Sequence, residues 1–258
     1  MKKVAFVLAL AIIVSCKDNK NSIDSKESEI ALTYPENVSK VFKAHGGINI
    51  WKEFESLYYE IEKPEVNDIY NVSLKDRKSL ISMKHHQLGF DGENVWLKNL
   101  DTTKYKGNAK FYYNLMFYFY AMPFVLGDDG INYKDVEPLQ YEGTSYPGVL
   151  ISYNSGVGES PEDEYILYYH PQTNEMSWLA YTVTFFSKEK SKKFNLIRYN
   201  DWEEVEGVKL PAKMQWHHYN EGEIGDVRNE VNFVKSKLSK EKISEDMFKV
   251  PDTTMIVK

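Results

Sequence analysis

A run of apolar and aromatic residues near the middle of the chain constrains the fold more than any other feature. Residues 108–123 read NAKFYYNLMFYFYAMP, and within residues 111–122 only Asn114 is neither apolar nor aromatic. As a helix, this central segment (108–123) is apolar nearly all the way round, so it must be buried on most sides. It is too short and too rich in tyrosine for a membrane span, which needs about 20 predominantly apolar residues. We therefore predict a buried helix, ended by Pro123 and Gly127, that lies against a curved sheet.

The amino terminus has the pattern of a secretory signal. Lys2 and Lys3 form a basic start, residues 4–14 form an apolar stretch, and Ser15 is the small residue before Cys16. This order of basic, apolar and small residues is typical of a signal peptide, and the apolar part is too short to span a membrane stably. We therefore exclude residues 1–15 from the folded domain.

The lone cysteine gives this signal a more specific interpretation. Cys16 is the only cysteine of the chain, so no disulfide can form within the chain. The sequence IVSC at residues 13–16 resembles the lipobox of bacterial lipoproteins. The resemblance implies cleavage before Cys16, a diacylglyceryl thioether on its sulfur and an acylated new amino terminus, and several acyl chains anchor a protein firmly. The alternative is an ordinary signal peptide followed by a leftover cysteine.

The charge balance argues against nucleic acid as a partner. The chain has 32 basic and 38 acidic residues, and loss of Lys2 and Lys3 with the signal leaves 30 against 38, a net charge of −8. A nucleic-acid-binding protein needs a basic footprint, which this composition does not provide. We therefore expect membrane attachment to come from the lipid on Cys16 and not from a basic surface.

We predict three parts in the chain. The signal peptide covers residues 1–15, the lipidated cysteine and a flexible tether cover residues 16–35, and a single domain covers residues 36–258. The tether is rich in Lys, Asp, Asn, Ser and Glu and has few large apolar residues, so it cannot bury a core of its own. The domain contains no internal repeat and no linker.

The domain begins with helical periodicity and then changes to the period of strands. Residues 37–45 and 48–54 have the spacing of two short helices, with Gly46 and Gly47 between them. Short segments of period two follow, with turn signals at 91–92 and 206–207, which predicts an antiparallel meander. The predicted strands cover residues 57–62, 68–74, 78–84, 87–90, 94–97, 133–141, 148–153, 164–169, 176–184, 194–205, 208–219 and 226–235, and one helical turn at 244–248 closes the domain.

The order of these features resembles an uncharacterised family of bacterial envelope lipoproteins, similar in layout to the LolA/LolB-type lipoprotein-sorting carriers. Besides the lipobox and the central segment, the motifs that carry the resemblance are HGG at 45–47, DGENVW at 91–96, YYHP at 168–171, GVKLP at 207–211 and FKVP at 248–251. The LolA/LolB-type fold is an unclosed β-barrel with helices lining its concave side, where acyl chains bind. The resemblance therefore implies a mainly β (α+β) fold of this kind and an apolar ligand. These motifs are structural turns, so no ligand-binding residue is carried over from the family.

The candidate ligand-binding residues are apolar side chains of the central segment and three tryptophans of the predicted strands. A sheet wrapped round one apolar helix can enclose a dry core or a cavity of lipid size. Binding in such a cavity would rest on burial of apolar surface, at roughly 0.8 kcal/mol per methylene. The residues predicted to contact the ligand, an acyl chain or a lipoprotein moiety, are Trp96, Phe111, Leu115, Phe119, Met122, Trp178 and Trp216.

The sequence offers no convincing catalytic or metal-binding motif. His85-His86 and His217-His218 lie in predicted strands, where neighbouring side chains point to opposite faces, so neither pair can chelate a metal by itself. Residues 128–132, DDGIN, lack the regular acidic spacing of a calcium loop. There is no Gly-x-Ser-x-Gly motif, and the lone cysteine is assigned to the lipid. We therefore predict neither enzyme activity nor a cofactor, although a hydrolase could still be assembled from distant carboxylates.

The leading hypothesis is a monomeric, lipid-anchored envelope protein whose concave sheet binds an apolar ligand. Its location would be the outer membrane, on the periplasmic or the surface face. The main alternative is a structural or partner-binding envelope lipoprotein with a dry core, and the third is an envelope hydrolase. The space between the central segment and the sheet discriminates between them: an apolar cavity of several hundred Å³ favours binding, and a completely filled interior contradicts it.

Overall fold

The computed structural model describes residues 34–154, 160–220, 222–252 and 254–257. The predicted signal peptide, Cys16 and the predicted tether up to residue 33 lie outside the described residues, so lipidation of Cys16 and the three-part division of the chain stay predictions. Residues 34–258 form one compact unit with its own core. Tyr34, a residue of the predicted tether, packs on Phe42 with the ring centroids 5.0 Å apart.

Two short helices open the described chain, as the periodicity predicts. Helix α1 (Glu36–Ala44) buries Val38, Val41 and Phe42 along one side. Helix α2 (Ile48–Lys52) ends two residues earlier than predicted and buries Trp51.

The HGG and GVKLP motifs meet where α1 ends. Gly46 has a φ of +100°, and a Cβ atom there would lie 2.2 Å from the carbonyl oxygen of Gly207. The backbone N–H of Lys209 donates to the carbonyl of His45 at 3.0 Å. Only glycine accommodates both the positive φ and this close backbone approach. The two motifs therefore hold the first helix against one end of the sheet.

Within the described residues, thirteen antiparallel strands form one sheet. The strands are β1 (Ser56–Ile61), β2 (Asp68–Ser73), β3 (Ser79–Ser82), β4 (His86–Phe90), β5 (Val95–Asn99), β6 (Ile131–Tyr141), β7 (Thr144–Tyr153), β8 (Tyr165–Tyr169), β9 (Met176–Tyr181), β10 (Asn195–Val205), β11 (Val208–Asn220), β12 (Glu223–Ser239) and β13 (Met255–Ile256).

The strand order leaves the sheet open. The order is β13-β5-β4-β3-β2-β1-β12-β11-β10-β9-β8-β7-β6, so β13 and β6 are the two edges, and no pairing joins them in the described part of the chain. Every step of the order is antiparallel, and β12 connects the first half of the sheet, through β1, with the second half, through β11. This confirms the predicted mainly β fold with an unclosed barrel.

The central segment lies inside this curved sheet, but not as the single helix that the sequence predicts. It forms α3 (Ala109–Tyr112) and α4 (Leu115–Tyr120), and a 3-10 turn (Phe124–Gly127) continues beyond Pro123. Asn108 caps α3, its Oδ1 accepting from the Phe111 N–H at 2.9 Å. The backbone carbonyl of Asn114 accepts the first bond of α4, so the chain starts a new helix there. The predicted burial is confirmed, because four of the six residues of α4 are buried.

The sheet has an inner face, which contacts α4, and an outer face with a small core of its own. On β9, Leu179 belongs to the inner core, while its neighbour Trp178 lies in the outer cluster. The register agrees, since Leu179 pairs with Leu167 and Ile197, both of the inner core. The outer cluster consists of Leu139, Tyr168, Trp178, Ala180 and Leu196.

Gly89 gives a stability prediction on the outer face. The Trp96 ring covers it, and a Cβ at Gly89 would lie 2.3 Å from two atoms of the indole ring. The Trp96 Nε1–H donates to the carbonyl of Phe248 at 3.0 Å, so the ring cannot move without breaking this bond. We expect Gly89→Ala to lower the free energy of unfolding by about 1–3 kcal/mol, as overpacking does in cores. Urea denaturation measures it; Gly225→Ala, at an exposed glycine of ordinary φ, is the control. Equal stabilities for the two variants would contradict the placement of Trp96.

Candidate ligand-binding site

The inner face is filled by aromatic side chains around α4. The Phe119 ring lies 4.8 Å from the ring of Tyr181 and 6.0 Å from that of Trp216, centroid to centroid. The Trp216 Nε1–H donates to the Tyr181 hydroxyl at 3.0 Å. Met122, two residues after α4, has no exposed surface. Around α4 the chain's own side chains therefore occupy the space.

Tyrosine hydroxyls fix the central segment to the sheet. Tyr199 donates to the carbonyl of Phe119 at 2.9 Å, and Tyr120 donates to the Ser236 hydroxyl at 2.6 Å. Burial raises the pKa of Tyr199 and of Tyr120. Because both hydroxyls stay protonated, they act as hydrogen-bond donors and satisfy polar groups inside an apolar core.

A cavity of about 140 Å³ lies between α3, the start of α4 and the strands β7 and β8. It is partly open to solvent. Its walls are mainly aromatic and aliphatic, and its lining residues are Lys110, Phe111, Tyr113, Asn114, Leu115, Tyr118, Tyr153, Ser160, Asp163, Tyr165 and Phe185. It is a space between the central segment and the inner face of the sheet, which is where an apolar ligand is predicted to bind.

The lining also carries polar groups, on four tyrosines and on Lys110, Asn114, Ser160 and Asp163. The hydroxyls of Tyr118 and Tyr153 form a hydrogen bond with each other. The Oδ1 atom of Asp163 accepts from the backbone N–H of Thr184 at 2.6 Å, and burial raises the pKa of this carboxyl. Lys110 is exposed at the rim. The cavity therefore suits an apolar group, with a cation at its entrance for an anionic or polar end.

The structure brings two of the seven predicted ligand-contact residues to this cavity. Phe111 and Leu115 line it, whereas Phe119, Met122 and Trp216 belong to the filled core around α4. The other two predicted residues, Trp96 and Trp178, lie on the outer face.

The outer-face tryptophans have different neighbours. Trp96 lies under the 3-10 turn that closes the domain (Glu245–Met247), and its indole N–H donates to the carbonyl of Phe248, the next residue. Trp178 lines an outer cleft of about 300 Å³, with the guanidinium carbon of Arg198 5.3 Å from its ring centroid. Neither Trp96 nor Trp178 therefore lies at the cavity beside α3.

Five aromatic residues of the cavity wall were not among the predicted ligand contacts. Tyr153 and Tyr165 come from β7 and β8, and Phe185 comes from the loop after β9. Tyr113 comes from the junction of α3 and α4, and Tyr118 comes from α4 itself. Tyr165 pairs with Tyr181 on the inner face. The alternation along its strand was a sequence signal that could have placed Tyr165 there. Phe185 has no periodic signal, because it lies outside a strand.

Only one of the two histidine pairs lies within a strand, as was predicted for both. His217 and His218 are in β11, with His217 buried and His218 exposed, whereas His85 lies in the turn before β4 and only His86 belongs to that strand. His86 is buried and His85 half-exposed, and their rings are 6.3 Å apart. His85 Nδ1 contacts the Asp101 Oδ2 at 2.6 Å, while His86 Nε2 bonds to the carbonyl of Thr103 at 3.0 Å. Within the described residues, no group of three or more His, Cys, Asp or Glu side chains is arranged to hold a metal ion. In the same part of the chain, no helix has the length and apolar character needed to cross a membrane.

Several solved structures are similar in fold to this chain. No protein-family model matches the sequence, and no curated protein matches it. A LolA superfamily protein from Nitrosomonas europaea is 10% identical over 78% of this chain and 96% of its own, with a TM-score of 0.44. A DUF1329 family protein from Desulfovibrio piger is 12% identical over 81% and 97%, with a TM-score of 0.46. The lipoprotein LppX from Mycobacterium tuberculosis is 10% identical over 58% and 88%, with a TM-score of 0.26. These proteins share with this chain a likeness of fold at low sequence identity.

Proposed function

We propose that this chain is a lipid-anchored envelope protein that binds the end of an apolar chain, such as an acyl chain, in the cavity beside α3. The observation that carries the proposal is the apolar wall of this partly open cavity, formed in part by Phe111, Leu115 and Phe185. Attachment through Cys16, a place at the outer membrane and a monomeric state belong to the proposal and rest on the sequence. The ligand is an acyl chain or the lipid moiety of another lipoprotein.

The cavity is neither the completely filled interior that contradicts binding nor the several hundred Å³ that favours it, and its volume limits the expected affinity. About 140 Å³ is close to the roughly 150 Å³ of an engineered apolar cavity that holds a benzene molecule. About five or six buried methylenes contribute ~4–5 kcal/mol. A free energy of ~4 kcal/mol corresponds to a dissociation constant of about 1 mM. Micromolar binding of a fatty acid therefore requires α3 to move away from β7 and β8 and enlarge the cavity.

The test is uptake of a fluorescent fatty acid by residues 17–258, purified without detergent. We expect Leu115→Trp to fill the cavity and to weaken uptake by about 10-fold or more, because the indole takes the volume of several methylenes. The matched control is Leu100→Trp, the same substitution at a leucine that is 50% exposed and does not line the cavity. Native mass spectrometry shows whether a ligand is carried through purification. No uptake by the unmodified protein, or equal uptake by both variants, would refute ligand binding at this cavity.

A partner-binding protein with a dry core is the second candidate, because the interior around α4 is filled. Phe119 is 2% exposed and Met122 is fully buried, so this part of the inner face offers no room for a guest. If residues 17–258 are folded and take up no fatty acid, this second function replaces the first.

We propose no catalytic role for the cavity. An envelope hydrolase needs two or three ionisable side chains that converge on a substrate. The charged side chains of the lining are Lys110 and Asp163. The Asp163 carboxylate accepts a backbone hydrogen bond at the base of the neighbouring loop, which is a structural role.

A further inference from the structure

The loop between β9 and β10 exposes an aromatic side chain next to the cavity. This β9–β10 loop (residues 182–194) reads TVTFFSKEKSKKF. Phe186 is 66% exposed, although water is an unfavourable environment for a phenylalanine ring. Its ring lies 5.2 Å from that of Phe111 and 5.1 Å from that of Phe185, two residues of the cavity wall. The exposed ring thus continues the apolar surface of the cavity outward.

The same loop carries a cluster of positive charge. Lys188, Lys190, Lys192 and Lys193 are all exposed, and Glu189 is the acidic residue among them. In the described part of the chain, no ion pair joins these four lysines to a carboxylate. The Nζ atom of Lys188 lies 4.3 Å from the ring centroid of Phe185, so charge and aromatic surface are directly adjacent.

We propose that the β9–β10 loop docks the domain on an anionic lipid bilayer. Exposed lysines are attracted to an anionic membrane surface, and an aromatic ring is stabilised by burial at the level of the headgroups. Charges act over about 8 Å at physiological ionic strength, so the local lysines decide the contact although the whole chain is acidic. Membrane contact therefore has a second source besides the lipid on Cys16, which the net charge alone does not reveal.

Docking at this loop turns the opening of the cavity towards the bilayer. Phe185 belongs both to the loop and to the cavity wall, and Lys110 at the rim adds a further cation. An acyl chain leaving the membrane would then meet the cavity without crossing water. The docking itself does not require that the cavity bind a ligand.

The first experiment measures binding of residues 17–258 to vesicles by co-sedimentation. We expect binding to vesicles of phosphatidylcholine mixed with phosphatidylglycerol, at least about 10-fold stronger than to phosphatidylcholine alone, and weakened by salt. The triple variant Lys190→Gln, Lys192→Gln, Lys193→Gln should lose about 10-fold or more of this binding. The control removes the same number of charges elsewhere. Lys43, Lys134 and Lys242 are exposed and have no ion pair in the described part of the chain, and they are replaced by glutamine.

The second experiment reports on Phe186 itself. Residues 17–258 contain no cysteine, so Phe186→Cys can carry a single polarity-sensitive fluorophore. We expect a blue shift on anionic vesicles, and no shift for the same label at Met255→Cys, a methionine 60% exposed on the edge strand β13.

Three results would overturn the docking proposal. These are no binding to anionic vesicles, equal binding by the two lysine variants, or binding to single-stranded DNA as strong as to vesicles with no blue shift at position 186. The last result would indicate a general polyanion site. Fatty-acid uptake is measured without vesicles, so failure of docking and failure of the cavity are distinguishable.

Discussion

Replacing Tyr120 by alanine should lower the free energy of unfolding by about 3–5 kcal/mol, the cost of removing a large aromatic side chain from a packed core. Tyr120 has no exposed surface. Its ring stacks on that of Tyr59 at 4.1 Å and lies 4.4 Å from that of Phe233, centroid to centroid. The substitution also leaves the hydroxyl of Ser236 without its donor. Urea denaturation followed by far-ultraviolet circular dichroism measures the loss.

The conservative variant separates packing from hydrogen bonding. Tyr120→Phe keeps the ring and removes only the bond to Ser236, so it should cost about 1 kcal/mol. A cost below about 1 kcal/mol for Tyr120→Ala itself would show that α4 is not packed against the sheet. The filled core around α4 and the choice of the cavity beside α3 would both then be wrong.

Much of the sheet could be predicted because turns and alternation are local signals. Glu206 and Gly207 both have positive φ, at 51° and 84°, as a two-residue hairpin requires. They join β10 to β11 at the predicted place, with Val205 paired to Val208. The short edge strand β13 was not predicted, because its pairing with β5 joins residues more than 150 positions apart. No local pattern indicates such a contact.

The face on which an aromatic residue lies was harder to predict than the strand that contains it. Residues 178–181 of β9 are all buried, because this strand is covered on the inner face by the core and on the outer face by the second cluster. A strand buried on both faces loses the alternation of apolar and polar residues that would assign each side chain. Trp178 was therefore grouped with the central segment, although the structure places it on the outer face.

The cavity depends on contacts that the sequence does not display. It forms where the central segment divides into α3 and α4, and the run of apolar residues predicts one continuous helix there. Asn114 was the visible signal, since asparagine is a weak helix former and competes for backbone hydrogen bonds. Burial of the segment could be predicted from its composition, but the space beside its first turn could not.

His45, in the HGG motif, is buried, and burial disfavours the charged form of its ring, the imidazolium. Its Nδ1 hydrogen-bonds to the carbonyl of Val41 at 2.9 Å, so Nδ1 carries the proton, and its Nε2 has no hydrogen-bond partner. The ring packs edge-on against Trp202, with the centroids 4.5 Å apart. Burial lowers the pKa of His45 from 6.5 to about 4, because the imidazolium would lose its hydration there. This geometry fits a packing role for His45. Because the buried ring stays neutral, the stability of the protein should depend on pH.

Stability should therefore fall as the pH is lowered from about 6.5 to about 4. In this range His45 is protonated in the unfolded chain but not in the folded chain. The unfolded state therefore binds more protons, and it becomes more stable relative to the folded state as the pH falls. A pKa difference of about 2.5 corresponds to about 3 kcal/mol of unfolding free energy. Urea denaturation at several pH values measures it, with His45→Leu as the comparison, since leucine fills the site and cannot be protonated. Carboxylates titrate in both proteins, so the difference between the two profiles isolates His45. Parallel profiles would show that His45 is hydrated in the native protein and that the HGG turn does not seal the end of the sheet.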